Sequence, residues 1–472
     1  MKQGVVRGGS SGMASDRLHS TFSCGRWTNF VRLGALVLTL GGAMVHAARF
    51  KVVETLEIGR VVSDFRVGFS LVTDEGSNSQ YVAYYDDQRR MTVAMRSLDS
   101  SEWHYQTLPS KVGWDSHNYI TMAIDRLGNL HVAGNMHADP LVYFVTSRPG
   151  DISSLKPGAM TGEREERVTY PRFMNDHEGK LVFNYRDGGS GRGARLFNRF
   201  DPETKSWARL LDTPLLDGEG QRNAYPLGPV RGPDGWFHMV WVWRMTPDCA
   251  TNHHLSHARS RDLIAWESSG GRKVELPITF EDDFLLIDPI PVGGGIINGG
   301  AKLFFDKKKR PLVTYHKSDA EGNMQMYVAR PEGKGWKIQQ LTEWNDPIEF
   351  SGNGSMNFIG IRASEAMEAE PGVLTLSYQH RVLGSGRLFF DEESLRPLEG
   401  PFEVTKALPS QLGEVESDFP GMQIRRATDQ AGSDAQGVRY VLQWESLGAH
   451  QDKRRKPPYP EPSMLRLYRL VE

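Results

Sequence analysis

From about residue 67 onward the chain is written in short runs where apolar and polar side chains alternate or where apolar residues run on unbroken. Both patterns predict β-strands, the first half-buried and the second buried on both faces. One unit recurs: strand, turn, strand, linker, strand. Its middle strand is the easiest to see: YVAYYDD (81–87), LHVAGNMH (130–137), LVFNYRD (181–187), FHMVWVWR (237–244), PLVTYHK (311–317), VLTLSYQH (373–380) and RYVLQWE (439–445). A third strand follows each, among them MTVAMRS (91–97), ARLFNRF (194–200) and MLRLYRL (464–470). An inner strand precedes them, as in VGFSLVTD, HNYITMAI and MNFIGIRA. Turns opened by Asp125 and Asp176, with Gly128 and Gly179 three residues on, lead into the middle strands, as does Asp306.

Seven units spaced about 50 to 70 residues apart predict a seven-bladed β-propeller of four-stranded antiparallel blades, because one such blade cannot cover its own faces. A single all-β domain is expected over 48–472, with the C-terminal strand closing the ring on the first blade. A β-sandwich or two small barrels would not account for the sevenfold recurrence.

Charge and targeting signals narrow the setting. A formal net charge of −2 over 472 residues gives no global field for nucleic acid. Arg26 and Arg32 precede an apolar run over 33–45, and Val45-His46-Ala47 places small residues where a signal peptidase cuts. Residues 1–47 therefore read as a removed signal peptide, and its apolar run is too short to be a comfortable membrane span. The mature chain is expected to be secreted or periplasmic, monomeric and without a stable membrane span. Of the two cysteines, Cys24 and Cys249, only the second survives cleavage, so no internal disulfide can form.

The stretch DSHNYITMAIDRLGNLHVAGNMHADPLVY (115–143) carries the most chemistry. It reads as two strands with a tight turn at 127–129; His117 opens the first and His137 closes the second. Those positions lie at one edge of an antiparallel pair, so two imidazoles 20 residues apart in sequence become neighbours. In a propeller, residues that start an inner strand and end the adjoining middle strand gather at one rim of the central channel. That rule collects His117 with Asn118 and His137, Tyr185 with Arg186, Trp243 with Arg244, Tyr315 with His316, and Gln379 with His380. Histidines, arginines and aromatic platforms suit an anionic sugar. Lytic β-elimination of a uronic acid needs a base for the C5 proton, an acid for the leaving O4 and a cation for the C6 carboxylate. Histidine can take either proton-transfer role near neutral pH.

The seven repeats, together with SHNYITMAIDRLGNLHVAGNMH (116–137), FNYRDGGSGRGARLFNRFD (183–201) and TNHHLSHARSRDLIAWE (251–267), resemble the BNR-4 repeat family, and within it the secreted seven-bladed ulvan lyases. The resemblance implies a polysaccharide lyase acting on an acidic, sulfated polymer, with no organic cofactor. It implies His117 and His137 as base and acid candidates, Tyr185 as a catalytic tyrosine, and an arginine of the following strand, Arg199 in preference to Arg195, on the carboxylate. Residues 248–260 match a stretch where relatives hold a structural metal, which makes Cys249 and His253 candidate ligands for zinc or calcium. The basic run at 453–456 is a solvated loop that could also attract sulfate groups. Two other readings stand beside this one. A sialidase-like hydrolase would need carboxylates that the rim set lacks. A non-catalytic glycan-binding propeller leaves the histidine pair without a task.

Overall fold

The computed structural model describes residues 49–356, 359–405, 408–430 and 437–472. The signal peptide expected over 1–47 lies outside the described residues. Among the described residues, seven antiparallel sheets of four to six strands make up the fold, and the helices are short 3-10 turns. All seven middle strands read from the sequence are present, each between two partners in its own sheet: Ser79–Tyr85, Leu130–Gly134, Leu181–Gly189, Phe237–Arg244, Pro311–Ser318, Val373–His380 and Val438–Ser446.

The middle strands are buried more completely than alternation alone would give. Ser79–Tyr85 and Phe237–Arg244 are buried at every position, because both faces of their sheets are covered by neighbouring sheets. Apolar clusters bridge successive sheets. Val82 shares one with Val132 and Leu442, and Ala133 shares another with Phe183. Val182 packs with Trp241, Val240 with Val313, and Leu312 with Leu376. Burial of this kind contributes about 25 cal/mol per Å² of apolar surface removed from water, and here it is distributed between sheets rather than gathered in one centre.

The two ends of the described chain meet in a way the repeats did not predict. The C-terminal strand Ser463–Val471 stays in the last sheet, and the N-terminal strand Lys51–Val61 joins it there, antiparallel, from Lys51 opposite Val471 to Val61 opposite Ser463. The expected closure onto the first sheet is thus reversed: the beginning of the chain completes the last sheet. Lys51–Val61 alternates exposed and half-buried positions, as an outermost strand does, and so carries too weak an apolar signal to be read as part of a repeat. A parallel bridge between Leu71 and Asp429, with the Asp429 carboxylate accepting from the Thr73 amide at 3.1 Å, ties the last sheet to the sheet that begins at Ser70–Asp74.

The turns entering the middle strands are closed by aspartate. Asp125 Oδ1 accepts from the amides of Leu127 and Asn129, Asp176 repeats this with Glu178 and Lys180, and Asp306 accepts from the Arg310 amide. Gly128 and Gly179 take the left-handed position of the turn, whereas at Asp306 the same position is held by Lys309, at φ 63°. Among the described residues no helix is long and apolar enough to cross a membrane.

Candidate functional site

The histidine pair forms at the edge of the second sheet. Ile120–Ile124 and Leu130–Gly134 pair with Ile120 opposite Gly134, so the residues just before the first strand and just after the second lie at the same edge. His117 stands in the loop ahead of the first strand. His137 begins a short strand, His137–Asp139, that crosses to the third sheet and pairs with Val168–Asn175. Left-handed residues at Asn135 and Ala138 make that crossing, and the Ala138 amide is held by Thr169 Oγ1 at 2.7 Å. The two imidazoles end with ring centroids 4.1 Å apart.

One carboxylate joins them. Asp115 Oδ1 lies 2.7 Å from His117 Nδ1 and also accepts from the His117 amide at 2.8 Å. Asp115 Oδ2 lies 2.5 Å from His137 Nδ1. Burial would raise the Asp115 carboxyl, but hydrogen bonds from both imidazoles outweigh it and hold the group well below the usual carboxylate range. A second carboxylate, Asp452, reaches His117 alone, 3.5 Å from its Nδ1. Burial pulls the His117 imidazolium down, yet bonding to Asp115 and Asp452 prevails and lifts it to about 9. Asp452 arrives on a loop whose residues Gln451 and Asp452 both have positive φ. The Gln451 amide donates to Ser355 O at 3.0 Å, and Asp452 Oδ2 accepts from the Ser355 amide at 2.9 Å. Gly354 makes this docking possible: it sits at φ +75°, and a Cβ there would come within 2.9 Å of Gln451 O and 3.1 Å of the Asp452 carboxylate.

Tyr170 completes the arrangement. The strand Val168–Asn175 is irregular between Thr169 and Arg172, and Tyr170 takes φ 55° at that bulge, a conformation a bulky L-residue rarely adopts. The bulge aims its ring at the pair, with centroids 5.7 Å from His117 and 6.5 Å from His137. Burial keeps the phenol protonated far above its usual range, even against the pull of Arg186. Arg186 Cζ lies 5.0 Å from the Tyr170 ring centroid. Its Nη2 donates to Thr169 Oγ1 at 2.9 Å, while Nε and Nη1 are buried with no partner among the described residues. Two buried guanidinium donors left open on one fork are suited to an oxyanion.

His117, His137 and Tyr170 open on a cavity of about 830 Å³ lined by strand residues of five sheets, among them Ile361 and Trp444, and by the segments just ahead of Ser70–Asp74 and Ile120–Ile124 in the other two. A side cleft of about 550 Å³ adjoins it at His137 and Ser190 and is lined by Arg167, Arg186 and Arg192.

The other residues expected on the rim divide by strand parity. Arg244 and His316 line the cavity, and Arg186 lines the adjoining cleft. Their chain neighbours Tyr185, Trp243 and Tyr315 turn the opposite way and are buried between sheets. The Tyr185 hydroxyl donates to Arg164 O and accepts from Arg209, both at 3.2 Å. Tyr315 donates to Asp288 at 2.6 Å. Adjacent residues of a strand point to opposite faces, so both members of such a pair cannot reach one cavity. Arg244 is fastened by the carbonyls of Thr246, Pro247 and Asp248. His316 is fully buried and pushed down to about 4 by that burial. Asn118 bonds Asn135 at 3.1 Å, beside the pair and outside the cavity lining. Arg199 stands opposite Val182 and Ala208 within its sheet, off the cavity. Arg195 is buried behind Tyr170 in a smaller pocket of about 340 Å³, with its guanidinium on Asn184.

The expected metal pair is not assembled. Cys249 is a buried free thiol that burial pushes up. His253 has Nδ1 2.8 Å from His254 Nδ1 and Nε2 3.4 Å from an Arg222 nitrogen, a cation where an ion would have to sit. Among the described residues, the group of three or more side chains able to share an ion is Asp115, His117, His137 and Asp452, whose ligand atoms lie within 4.8 Å of one another. Those residues could hold a divalent cation.

Asp115, Tyr170 and Asp452 were not singled out from the sequence. Asp115 two residues before a histidine is a local turn signal, and Tyr170-Pro171 opens an inner strand, so both were within reach of the rim rule. Asp452 is 336 residues from Ser116, whose amide and hydroxyl it also accepts, and no local pattern announces it.

Comparison with known proteins adds family and fold. Residues 79–344 match the family described as BNR repeat-containing family member. The short-isoform ulvan lyase of Alteromonas sp. (strain LOR) is 27% identical over 158 residues, 24% of this chain and 30% of that enzyme. The long isoform of Glaciecola sp. (strain KUL10) is 37% identical over 72 residues, 13% of this chain and 7% of that enzyme. The chain thus matches less than a third of the length of these curated relatives. Among solved structures, a PL25 ulvan lyase aligns over 88% of this chain and 95% of its own, with a TM-score of 0.55 and 13% identity. The polysaccharide lyase Uly1 aligns over 89% and 99%, with a TM-score of 0.59 and 12% identity.

Proposed function

Since the chain belongs to the BNR repeat-containing family, we propose that it is an exported polysaccharide lyase that cleaves 4-linked uronic acid residues by β-elimination, with ulvan the leading polymer. In this reading the seven sheets are the blades of a propeller and residues 1–47 are its signal peptide. The observation that carries the proposal is the cluster of Asp115, His117, His137 and Tyr170 at a cavity lined from five sheets and from the segments leading into the other two, with Arg186 beside it. Similarity to ulvan lyases in sequence, and to PL25 structures in fold, supports the choice of polymer.

The chemistry follows from which ring edges are occupied. Asp115 takes Nδ1 of His137 and so leaves Nε2 as the basic nitrogen, which removes the C5 proton of the uronate. The electron pair of that C–H bond forms the C4–C5 double bond as the C4–O4 bond breaks. Tyr170, kept protonated by its surroundings, gives its proton to the departing O4. Arg186 pairs with the C6 carboxylate and stabilises the negative charge that builds there during proton removal. His117, a cation below about pH 9, holds Asp115 ionised and adds positive charge at the mouth of the site. Tyr170 and Arg186 thereby take the roles that the family resemblance had put on Tyr185 and Arg199.

Incubating the purified protein with ulvan and a panel of other uronate polymers should raise ultraviolet absorbance as unsaturated uronate ends accumulate. Chain shortening with saturated ends would replace the proposal with hydrolysis, and tight binding without shortening would leave a glycan-binding protein.

A further inference from the structure

The cavity on which the histidine pair opens is also lined by four cationic side chains that the elimination chemistry does not use. Arg66 precedes the strand Ser70–Asp74, Lys302 opens Lys302–Phe305, Arg362 lies within Ile361–Ala363, and Arg425 lies within Gln423–Thr428. Each of these strands stands at one end of its sheet, in four different sheets, and all four side chains line the cavity. The partners seen for two of them are neutral: Arg425 donates to Ser446 Oγ and to the carbonyls of Ser446 and Leu447, and Lys302 donates to Gly299 O. Arg66 has no hydrogen-bond partner among the described residues; water reaches it through the cavity while protein surrounds it on most other sides.

The four cations act on one another. Burial, then repulsion by Arg66 and Arg362, draws Arg425 down to about 10. Burial and Arg362 lower Arg66. Burial lowers Lys302, which Glu365 supports and Arg66 opposes. Like charges lining one cavity disfavour one another unless an anion joins them, and guanidinium groups are the side chains best shaped to receive one.

We propose that Arg66, Lys302, Arg362 and Arg425 form a second oxyanion site, which receives a sulfate ester or a carboxylate on a sugar bound beyond the one undergoing elimination. The ligand is then a polymer with anionic groups at intervals, held at Arg186 and again across the cavity. Multiply charged chains would bind far better than single sugars, with an affinity that falls as salt rises. This inference rests on the lyase reading only in taking the ligand to be an acidic polysaccharide.

The test measures binding rather than turnover, so it stands or falls separately from the elimination reaction. The full chain carrying His137→Ala, to prevent cleavage, is titrated calorimetrically with sulfated uronate polymer, the same polymer desulfated, and the same polymer with carboxyls reduced. Arg66→Gln with Arg362→Gln added to that background should weaken binding at least tenfold and flatten its salt dependence, while Arg66→Lys should keep most of the affinity. Loss confined to the polymers that retain sulfate identifies a sulfate site, and loss confined to those that retain carboxylate identifies a carboxylate site. Unchanged affinity for all three polymers would overturn the proposal. So would an Arg66→Lys variant as weak as the glutamine variant, because charge would then not be what matters. If the double variant does not fold, Lys302→Gln read against the same polymers decides by the same criteria.

Discussion

Two histidine–carboxylate clusters in this molecule use almost the same parts to opposite effect. At the cavity, His117 and His137 share Asp115, His117 also faces Asp452, and the two imidazoles keep 20% and 25% of their surface exposed. In the fourth sheet, His238 Nδ1 lies 3.0 Å from His257 Nε2 and His238 Nε2 lies 3.1 Å from Asp234. There burial lowers both rings: Asp234 only partly offsets it at His238, and Arg259 lowers both further. His117, with two carboxylates and access to water, is raised to about 9. Residue type therefore says little about proton affinity. The balance of carboxylates against desolvation and nearby cations decides it, and only the cavity cluster has that balance beside open space.

The comparison breaks most decisively at the cavity. His137→Ala and Tyr170→Phe should each reduce elimination by about 10²–10⁴-fold, the usual contribution of one positioned acid or base, with melting temperature nearly unchanged. The corresponding His257→Gln should leave kcat/KM within about twofold, because that ring touches no part of the cavity. Comparable losses at both clusters would show that the distinction drawn here is false.

A sharper version uses pH. Asp452→Asn removes one of the two carboxylates that hold a proton on His117, so the imidazolium should lose its proton at a lower pH than about 9. The alkaline limb of the kcat/KM profile should then move to lower pH, with the acid limb in place. The sign is the same for folding. His117 is raised above its unfolded value near 6.5, so its stabilising contribution is full below that value and is lost as pH rises through about 9. Asp452→Asn should flatten that alkaline loss of stability. A profile that does not shift would remove Asp452 from the control of His117.

These variants also mark what could be read in advance. The seven middle strands were legible because each is a dense apolar run behind a turn, and the histidine pair was legible because antiparallel pairing brings 117 and 137 to one edge whatever the details. The rim rule failed where it took two adjacent residues from one strand. In 185–186, 243–244 and 315–316 the second residue lines a cavity and the first is buried between sheets. Tyr170 was hidden by a bulge, which shifts side-chain parity locally and has no hydrophobic signature. Asp452 was beyond any local reading, since its partnership with His117 exists only once the loop that follows Val438–Ser446 is docked beside the loop ahead of Ile120–Ile124.

The buried cluster gives the next effect in size. His238 and His257 are held below their unfolded values, so as pH falls through about 6.5 the unfolded chain takes up protons that the folded one refuses, and stability drops. His257→Gln, which cannot be protonated, should lessen the fall in melting temperature between neutral and mildly acid pH. A fall as steep as in the parent would assign the acid sensitivity elsewhere.

The smallest effects are expected at the two residues that strand parity and position remove from the cavity. Tyr185→Phe deletes a hydroxyl that bridges Arg164 O and Arg209. It should cost about 1 kcal/mol of stability, the net worth of an ordinary hydrogen bond, and leave the elimination rate within about twofold. Arg199→Ala, on a position turned away from the cavity, should change neither by more than about 0.5 kcal/mol. Set against Tyr170→Phe, the Tyr185 variant is the critical control, because both remove one phenolic oxygen from tyrosines of the same sheet. If Tyr185→Phe abolished elimination and Tyr170→Phe did not, the catalytic tyrosine would be the one the sequence resemblance named, and the third sheet would have to present its opposite face to the substrate.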